Sequence, residues 1–151
     1  MLVKDIMTTC VSCLKPEASI SQAAKQMKQD NIGSLPVCTD SGQVMGILTD
    51  RDITIRAVAN SAYPRQGAQS SEFTEQKAQD IMSTAMIYAT PNMNLHDAAN
   101  LMSKHQIRRL PVISNKRLVG IISLADIARK NICIDEAGDV LSAVSKPNGL
   151  S

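Results

Sequence analysis

Aromatic residues and long apolar runs are what this sequence most clearly lacks. Its 151 residues include no tryptophan and three other aromatic residues, Tyr63, Phe73 and Tyr88. We therefore predict a core of aliphatic side chains and methionine. No apolar stretch approaches the roughly 20 residues that cross a bilayer, and the N-terminal residues contain no signal-peptide core. The sequence accordingly predicts a cytoplasmic protein without a membrane partner.

A strong charge imbalance is also missing. The formal net charge is +2, and the chain has neither a basic run nor a series of aromatic residues on which bases would stack. We therefore expect no nucleic-acid partner. At this length the chain can bury a sufficient core without disulfides or structural metals.

The chain contains four cysteines, Cys10, Cys13, Cys38 and Cys133. In a reducing compartment they are expected to be thiols rather than a disulfide framework. The spacing of Cys10 and Cys13 is that of half a zinc site or of a redox pair, but no second CxxC or HxxH motif follows. We therefore predict no metal site and interpret the cysteines as buried or incidental thiols. Thiol-redox chemistry at Cys10 and Cys13 is the alternative.

One sequence pattern occurs twice in the chain. The tripeptide Asp-Ile-Met begins at Asp5 and at Asp80, and Leu-Pro-Val begins at Leu35 and at Leu110, both after 75 residues. A helix start and its apolar face return at the same offset: Ser19, Ile20, Ala23, Ala24 and Met27 correspond to Asn94, Leu95, Ala98, Ala99 and Met102. These matches indicate a tandem repeat.

The repeat suggests a division of the chain into four parts. We place the first repeat at residues 1–60, a linker at 61–77, the second repeat at 78–131, and a C-terminal extension with a short helix and a tail at 132–151. Each repeat is predicted to fold as β-α-β-β-α, which gives an α/β (α+β) protein. Because so short a repeat buries little core alone, we expect the two to pack sheet to sheet with pseudo-twofold symmetry.

Each repeat ends with an apolar strand that leads into a helix. The two copies are Gly46–Ile53 and Gly120–Ile127, and each places a hydroxyl residue three positions before an aspartate. One interpretation is a capping box, which stabilises a helix start by about 1 kcal/mol. The other is a nucleotide site, in which the backbone amides, the hydroxyl and the carboxylate bind a phosphate and a ribose. The matched pair of junctions favours the nucleotide site.

Together these motifs resemble the tandem CBS (cystathionine-β-synthase) domain pair, also called a Bateman module. The first copy consists of Asp5–Met7, Asn31–Val37 and Gly46–Ile53, and the second of Asp80–Met82, His105–Val112 and Gly120–Ile127. The resemblance covers nearly the whole chain. It implies a regulatory module that binds an adenine nucleotide (AMP, ADP or ATP), with S-adenosylmethionine less favoured, and that has no catalytic activity.

The resemblance also implies which residues contact the ligand. Thr49 and Ser123 would contact phosphate or ribose. Asp52 and Asp126 would accept hydrogen bonds from the ribose hydroxyls, as a carboxylate can do for a diol. The base would lie against apolar residues of the two sites: Val11, Ile32 and Pro36 in the first, and Met86, Ile107 and Pro111 in the second.

Three arginines complete the set of candidate ligand contacts. Arg51, Arg108 and Arg109 offer planar donors that suit a phosphate. Arg51 lies in the first turn of its helix, where a cation opposes the helix dipole and a bound anion would relieve the repulsion. The copies differ here, because Arg108 and Arg109 correspond to Gly33 and Ser34 in the first repeat. This difference leaves two arrangements open: one site dominates, or a phosphate bound in one half uses the arginines of the other half.

The resulting prediction is a nucleotide sensor that forms a homodimer and modulates an unidentified effector protein. Ligand binding would act by shifting the populations of two conformations for which its affinities differ. The alternative is a structural homodimerisation module with vestigial ligand sites. We predict that the chain is not an enzyme, because the sequence shows no nucleophile with an adjacent base, no P-loop and no metal-ligand set.

Overall fold

The fold was obtained as a computed structural model that describes residues 1–61, 75–130 and 134–147. Several sequence predictions fall outside those ranges: Tyr63, Phe73, Cys133, most of the linker predicted at 61–77, and the end of the predicted tail. In the described part of the chain, no helix is long and apolar enough to span a membrane.

The described residues form an α+β structure of helices and two-stranded sheets. The α-helices are α1 (Ile20–Asp30), α2 (Asp50–Asp52), α3 (Ala59–Ser61), α4 (Ala78–Ile81), α5 (Leu95–His105), α6 (Leu124–Ala128) and α7 (Ile134–Val144). A 3₁₀ turn at Val3–Asp5 precedes them, and a π-helical segment at Ile53–Val58 joins α2 to α3. The strands are β1 (Ser34–Cys38), β2 (Val44–Thr49), β3 (Arg109–Ser114) and β4 (Arg117–Ser123).

The four strands pair as two antiparallel hairpins, one in each repeat. In the first, Leu35 lies opposite Leu48 and Pro36 opposite Ile47. The second hairpin has the same register, with Leu110 opposite Ile122. Because side chains alternate between the faces of a strand, the leucine pair points to one face and the proline pair to the other. The leucines belong to the apolar clusters, so their face is the core face.

The lead-in predicted as the first strand of each repeat is reduced to a single parallel bridge. Leu14 bridges Val37 in the first repeat, and Ala89 bridges Val112 in the second. The Leu14 amide donates to the Pro36 carbonyl across 2.8 Å. A proline follows each bridge after two residues, Pro16 in the first repeat and Pro91 in the second. At that position the backbone amide would have to donate the next hydrogen bond between the strands. Since proline has no amide hydrogen, the pairing stops there.

The chain forms two compact units that exchange the segments carrying the Asp-Ile-Met motifs. The repeat-1 unit comprises Ser12–Met86, and the repeat-2 unit comprises Met1–Val11 together with Ile87–Ser151. Each unit has its own apolar cluster, one around Leu35 and Leu48 and the other around Leu110 and Ile122. Each Asp-Ile-Met motif thus belongs to the unit built on the other repeat. The sequence pattern gave no indication of this exchange.

Backbone pairing holds each exchanged segment beside a glycine of the second hairpin strand. Thr8 and Ile121 exchange two hydrogen bonds of 2.8 and 2.9 Å in the repeat-2 unit, and Ser83 and Ile47 do the same in the repeat-1 unit. A Cβ atom on Gly120 would lie 2.8 Å from both Met7 Sδ and the Thr8 carbonyl oxygen. These contacts leave no room for a side chain, so the glycine is required by the close approach of the segment.

The helix predictions are confirmed in their main points. Ser19 and Gln22 form the predicted capping box of α1, and the predicted extra helix is present as α7. Ala24, which was predicted on the apolar face of α1, is exposed, and so is Val58 in the π-helical segment. Ala99, the counterpart of Ala24, is buried in the cluster that α7 completes with Ala137 and Val140. The first closing helix runs to Ser61, and its π-helical middle shifts the later side chains away from the predicted α-helical phase.

Candidate functional site

The strand–helix junction of the repeat-1 unit forms a complete capping box. The Thr49 amide donates to Asp52 Oδ2 across 2.9 Å, and the Asp52 amide donates to Thr49 Oγ1 across 3.1 Å. Thr49 is the last residue of β2 and the N-cap of α2. Its backbone is still extended, and in this conformation its side chain can accept a hydrogen bond from an amide of the first helical turn. The predicted hydroxyl and carboxylate are therefore brought together at one helix start.

The repeat-2 unit has the same arrangement with one additional hydrogen bond. The Ser123 amide donates to Asp126 Oδ2 across 2.8 Å, and the Asp126 amide donates to Ser123 Oγ across 3.2 Å. The Ser123 hydroxyl also donates to Asp126 Oδ2 across 2.7 Å. The capping interpretation of both motifs is thus correct as a description of the helix starts. It leaves open what the remaining carboxylate oxygen binds.

That remaining oxygen faces an arginine in each unit. Asp52 Oδ1 lies 3.8 Å from Arg56 Nε, and Asp126 Oδ1 lies 3.6 Å from a terminal nitrogen of Arg129. The side chains of Asp52 and Asp126 are only 13% and 15% exposed, so each carboxylate lies in a largely buried place beside a cation. Each carboxylate has one oxygen committed to the cap and one available for an additional donor.

Sequence reasoning missed Arg56 and Arg129. The available signal was their spacing of four and three residues from the aspartates, which places oppositely charged side chains on one helix face. Arg56 has a further role, because its guanidinium donates to the carbonyls of Ile81 and Met82 across 3.0 and 3.2 Å. It therefore holds α4 and the Asp-Ile-Met segment against the repeat-1 unit.

We expect Arg56→Ala to lower the free energy of unfolding by about 1–2 kcal/mol, since two hydrogen bonds from a charged donor are lost. Arg129→Ala is the matched control, because Arg129 is largely exposed and the structure shows it paired with Asp126 at a distance typical of weak surface ion pairs. That variant should change the free energy by less than about 0.5 kcal/mol. Urea titrations of both proteins measure the difference, and equal losses would contradict the anchoring role of Arg56.

The two junctions differ in charge on the strand that faces the cap. In the repeat-2 unit Arg109 lies directly opposite Ser123, whereas in the repeat-1 unit Ser34 lies opposite Thr49. Directly opposed residues of an antiparallel pair project to the same face. Arg109 is therefore placed beside the Ser123 hydroxyl, and the corresponding place in the repeat-1 unit has no cation.

The two junctions also differ at the positions of Arg108 and Leu124, which are a glycine and an aspartate in the repeat-1 unit. A Cβ atom on Gly33 would lie 2.9 Å from Asp50 Oδ2, so the Asp50 carboxylate covers this glycine. The Asp50 amide donates to the Gly33 carbonyl across 2.9 Å. In the repeat-2 unit the Leu124 amide donates to the Arg108 carbonyl across the same distance. Arg51 and Arg108 are both exposed. The repeat-2 junction is thus the more favourable one for an anion.

The apolar candidates occupy two kinds of position. Ile32 and Ile107 are half-buried beside the apolar clusters, each directly after a left-handed helix-ending residue. Pro36 and Pro111 are buried and lie on the hairpin faces that carry Thr49 and Ser123. The structure brings each isoleucine and proline into the same unit as its predicted cap. Val11 and Met86 are the last residues before the chain passes from one unit to the other.

The cysteines are arranged differently from the prediction. Cys13 lies beside Cys38, with the two Sγ atoms 3.0 Å apart, whereas the sequence motif had suggested Cys10 as its partner. Cys10 belongs to the segment that packs in the repeat-2 unit. The hydrogen bond from the Cys38 thiol lowers the pKa of Cys13 to about 7, although partial burial opposes this, and the same bond raises the pKa of Cys38. Within the described ranges, no three His, Cys, Asp or Glu side chains cluster as a metal site.

Comparison with known proteins identifies the repeat. A family model described as "CBS domain" matches residues 3–58 and 78–132. The CBS domain-containing protein YhcV of Bacillus subtilis is 41% identical over 146 residues, which cover 97% of this chain and 96% of YhcV. Hypoxic response protein 1 of Mycobacterium tuberculosis is 37% identical over 126 residues, which cover 83% of this chain and 82% of that protein.

Solved structures give the same result. The crystal structure of hypoxic response protein 1 with two coordinated zinc ions has a TM-score of 0.72 at 36% identity, covering 85% of this chain and 98% of that one. The CBS domain pair of protein MJ0100, in complex with methylthioadenosine and S-adenosylmethionine, has a TM-score of 0.71 at 31% identity, covering 85% and 94%. The chain belongs to the CBS domain family and carries the domain twice, as a tandem CBS pair.

Proposed function

We propose that this protein is a regulatory module that binds adenosine-containing ligands at its strand–helix junctions. The observation that carries the proposal is the half-committed carboxylate of each junction. Asp52 and Asp126 use one oxygen for the helix cap and present the other beside an arginine. Such an oxygen can accept from a ribose hydroxyl, and both hydroxyls of a ribose can be served by one carboxylate. The adenosine ligands of the MJ0100 domain pair support this class of ligand.

We further propose that phosphate-bearing ligands (AMP, ADP or ATP) bind preferentially at the repeat-2 junction. The local charges support this preference. The repeat-2 junction has one carboxylate, Asp126, and the cations Arg108, Arg109 and Arg129, whereas the repeat-1 junction balances Asp50 and Asp52 against Arg51 and Arg56. An anionic ligand is therefore attracted more strongly by the repeat-2 junction. A ligand without phosphate, such as S-adenosylmethionine, is better suited to the repeat-1 junction, where Asp50 would favour a cation.

The regulatory role follows from linkage. A ligand that binds one conformation of the protein more tightly shifts the population towards it, and an effector protein that contacts the same conformation is then bound or released. We propose that the protein acts as a cytoplasmic homodimer on a separate effector. It makes no covalent change to its ligand.

A structural homodimerisation module is the second candidate function. It is favoured by one observation, which is that the hydroxyl and carboxylate of both motifs are already explained as capping boxes. On this view Thr49, Asp52, Ser123 and Asp126 stabilise two short helices and bind nothing further.

A thermal-shift panel separates the two functions. AMP, ADP, ATP, adenosine and S-adenosylmethionine would be tested on the wild-type protein, with GMP as the control for the base. A ligand present at 100 times its dissociation constant adds about 2.7 kcal/mol to the stability of the folded state, which corresponds to a shift of several degrees. At least one adenosine ligand should give such a shift and GMP should not. The absence of a shift with every adenosine ligand would favour the dimerisation module.

A further inference from the structure

Cys13 and Cys38 are brought together by the backbone of the repeat-1 unit. The Leu14 amide donates to the Pro36 carbonyl across 2.8 Å, and the Cys38 amide donates to the Leu14 carbonyl across 2.9 Å. These two bonds fix the residues on either side of the parallel bridge between Leu14 and Val37. The thiols of neighbouring residues are therefore held side by side, 3.0 Å apart, although 25 residues separate them in the chain.

The fold does not require cysteines at these positions. The repeat-2 unit forms the same bridge with the same two backbone hydrogen bonds, from Ala89 to Pro111 and from Ile113 to Ala89. The residues equivalent to the two cysteines are there Tyr88 and Ile113. At this bridge a pair of thiols thus occurs in the repeat-1 unit and not in the repeat-2 unit, and packing of the bridge gives no reason for it.

The two thiols have complementary environments. Cys38 is 4% exposed, whereas Cys13 is exposed and lines an open groove of about 530 Å³. The charged residues of that groove are Lys15, Glu17 and Lys25, and its remaining polar side chains are glutamines on α1. A small molecule can therefore reach Cys13 through the groove, while Cys38 is almost fully buried beside it. This is the arrangement of an attacking thiol and a resolving thiol.

We propose that Cys13 and Cys38 form a reversible disulfide by exchange with a low-molecular-weight disulfide that enters this groove. The lysines of the groove favour a disulfide that carries carboxylates, for which glutathione disulfide is the probe. The proposal concerns a modification site and is independent of ligand binding at the two junctions.

The exchange balances in two steps. The Cys13 thiolate attacks one sulfur of the small disulfide, forming a mixed disulfide and releasing a thiolate that takes a proton from water. The Cys38 thiol then loses its proton to water and attacks Cys13 Sγ, which forms the Cys13–Cys38 disulfide and releases the second small thiolate, and this thiolate takes up a proton from water. The protein pair is oxidised by two electrons, and the small disulfide is reduced to two thiols.

The pKa values of the pair suit this order of events. The hydrogen bond from Cys38 lowers the pKa of Cys13 to about 7, which makes its thiolate available at neutral pH. The pKa of Cys38 is raised chiefly by its hydrogen bond to Cys13, with burial and the Cys13 charge adding to the effect. Once Cys13 is capped as a mixed disulfide, the thiolate acceptor and its charge are gone. Deprotonation of Cys38 becomes easier at the step that needs it.

The test uses the full-length protein, reduced and then incubated with glutathione disulfide at pH 7 before free thiols are blocked. Intact mass should show the loss of two hydrogens without a retained glutathione. Peptide mapping should show Cys13 linked to Cys38. Because the new bond closes a loop of about 25 residues, the melting temperature should rise by about 5–10 °C and return when a dithiol reductant is added.

Three variants sharpen the result. Cys10→Ser should behave as the wild type. Cys38→Ala should retain glutathione on Cys13, because the resolving thiol is missing, and Cys13→Ser should leave Cys38 unmodified. A disulfide between Cys10 and Cys13, a glutathione adduct that persists on Cys13 of the wild type, or four unreacted thiols would each overturn the proposal. These wild-type results decide the matter even if the Cys38 variant fails to fold.

Discussion

Gly120→Ala should destabilise the protein by about 2–3 kcal/mol, which lowers the melting temperature by roughly 5–10 °C. The new Cβ atom would lie 2.8 Å from the Thr8 carbonyl oxygen, so the N-terminal segment has to move away from β4. That movement weakens the two backbone hydrogen bonds between Thr8 and Ile121. A thermal melt of the variant beside the wild type measures the effect.

The same substitution elsewhere in the repeat-2 unit should have the opposite sign. Gly138 lies on the exposed side of α7, and a Cβ atom there would meet nothing within 4 Å. Gly138→Ala is therefore expected to stabilise the protein by about 0.5–1 kcal/mol, because glycine is a poor helix former. Adding Met7→Ala to Gly120→Ala should not restore stability, since the Thr8 carbonyl oxygen remains in the way. A Gly120→Ala protein as stable as the wild type would show that the exchanged segment does not pack on β4 as described.

Arg109→Ala should weaken AMP binding by about 10- to 100-fold, the loss expected for a hydrogen bond between a guanidinium and a phosphate. Adenosine binding should change by less than about threefold, because adenosine has no phosphate for the arginine to contact. The expectation follows from the position of Arg109 opposite Ser123 on the same face of the hairpin. Calorimetric titration of both ligands into the variant gives the two affinities.

Arg117→Ala is the control for this experiment. It removes the same charge from the other end of the same hairpin, where Arg117 is exposed and lies opposite Ser114. Six residues of extended strand separate it from Ser123, which is about 20 Å. The control should keep the AMP affinity within about twofold. Equal losses in the two variants would mean that the arginine acts through general charge, and an unchanged affinity in Arg109→Ala would remove it from the phosphate site.

Signals that act over three or four residues allowed most of the local structure to be predicted. The capping boxes at Thr49 and Ser123 were one of two interpretations that the hydroxyl and carboxylate spacing allowed, and both are formed. The hairpins followed from the repeated Leu-Pro-Val strand and its partner. Such features depend on residues that are close in sequence, so the sequence alone is sufficient to predict them.

Features that depend on distant residues could not be predicted. The proximity of Cys13 to Cys38 arises from a bridge between residues 14 and 37, whereas the sequence drew attention to Cys10. The exchange of the Asp-Ile-Met segments depends on backbone pairing and on two glycines, and hydrophobic periodicity predicts neither. The exposure of Val58 reflects a π-helical segment, which a helix pattern with a period of 3.6 residues does not anticipate.

The most direct test of the account is calorimetric titration of AMP into the wild-type protein, Asp52→Asn and Asp126→Asn. Asparagine can still accept the cap hydrogen bonds but no longer offers a charged oxygen to the ribose. We expect saturable binding to the wild type with one strong site per chain, retained in Asp52→Asn and lost in Asp126→Asn. The absence of saturable binding of AMP, ADP, ATP or S-adenosylmethionine to the wild type would contradict the proposed ligand-binding function and leave both motifs as helix caps.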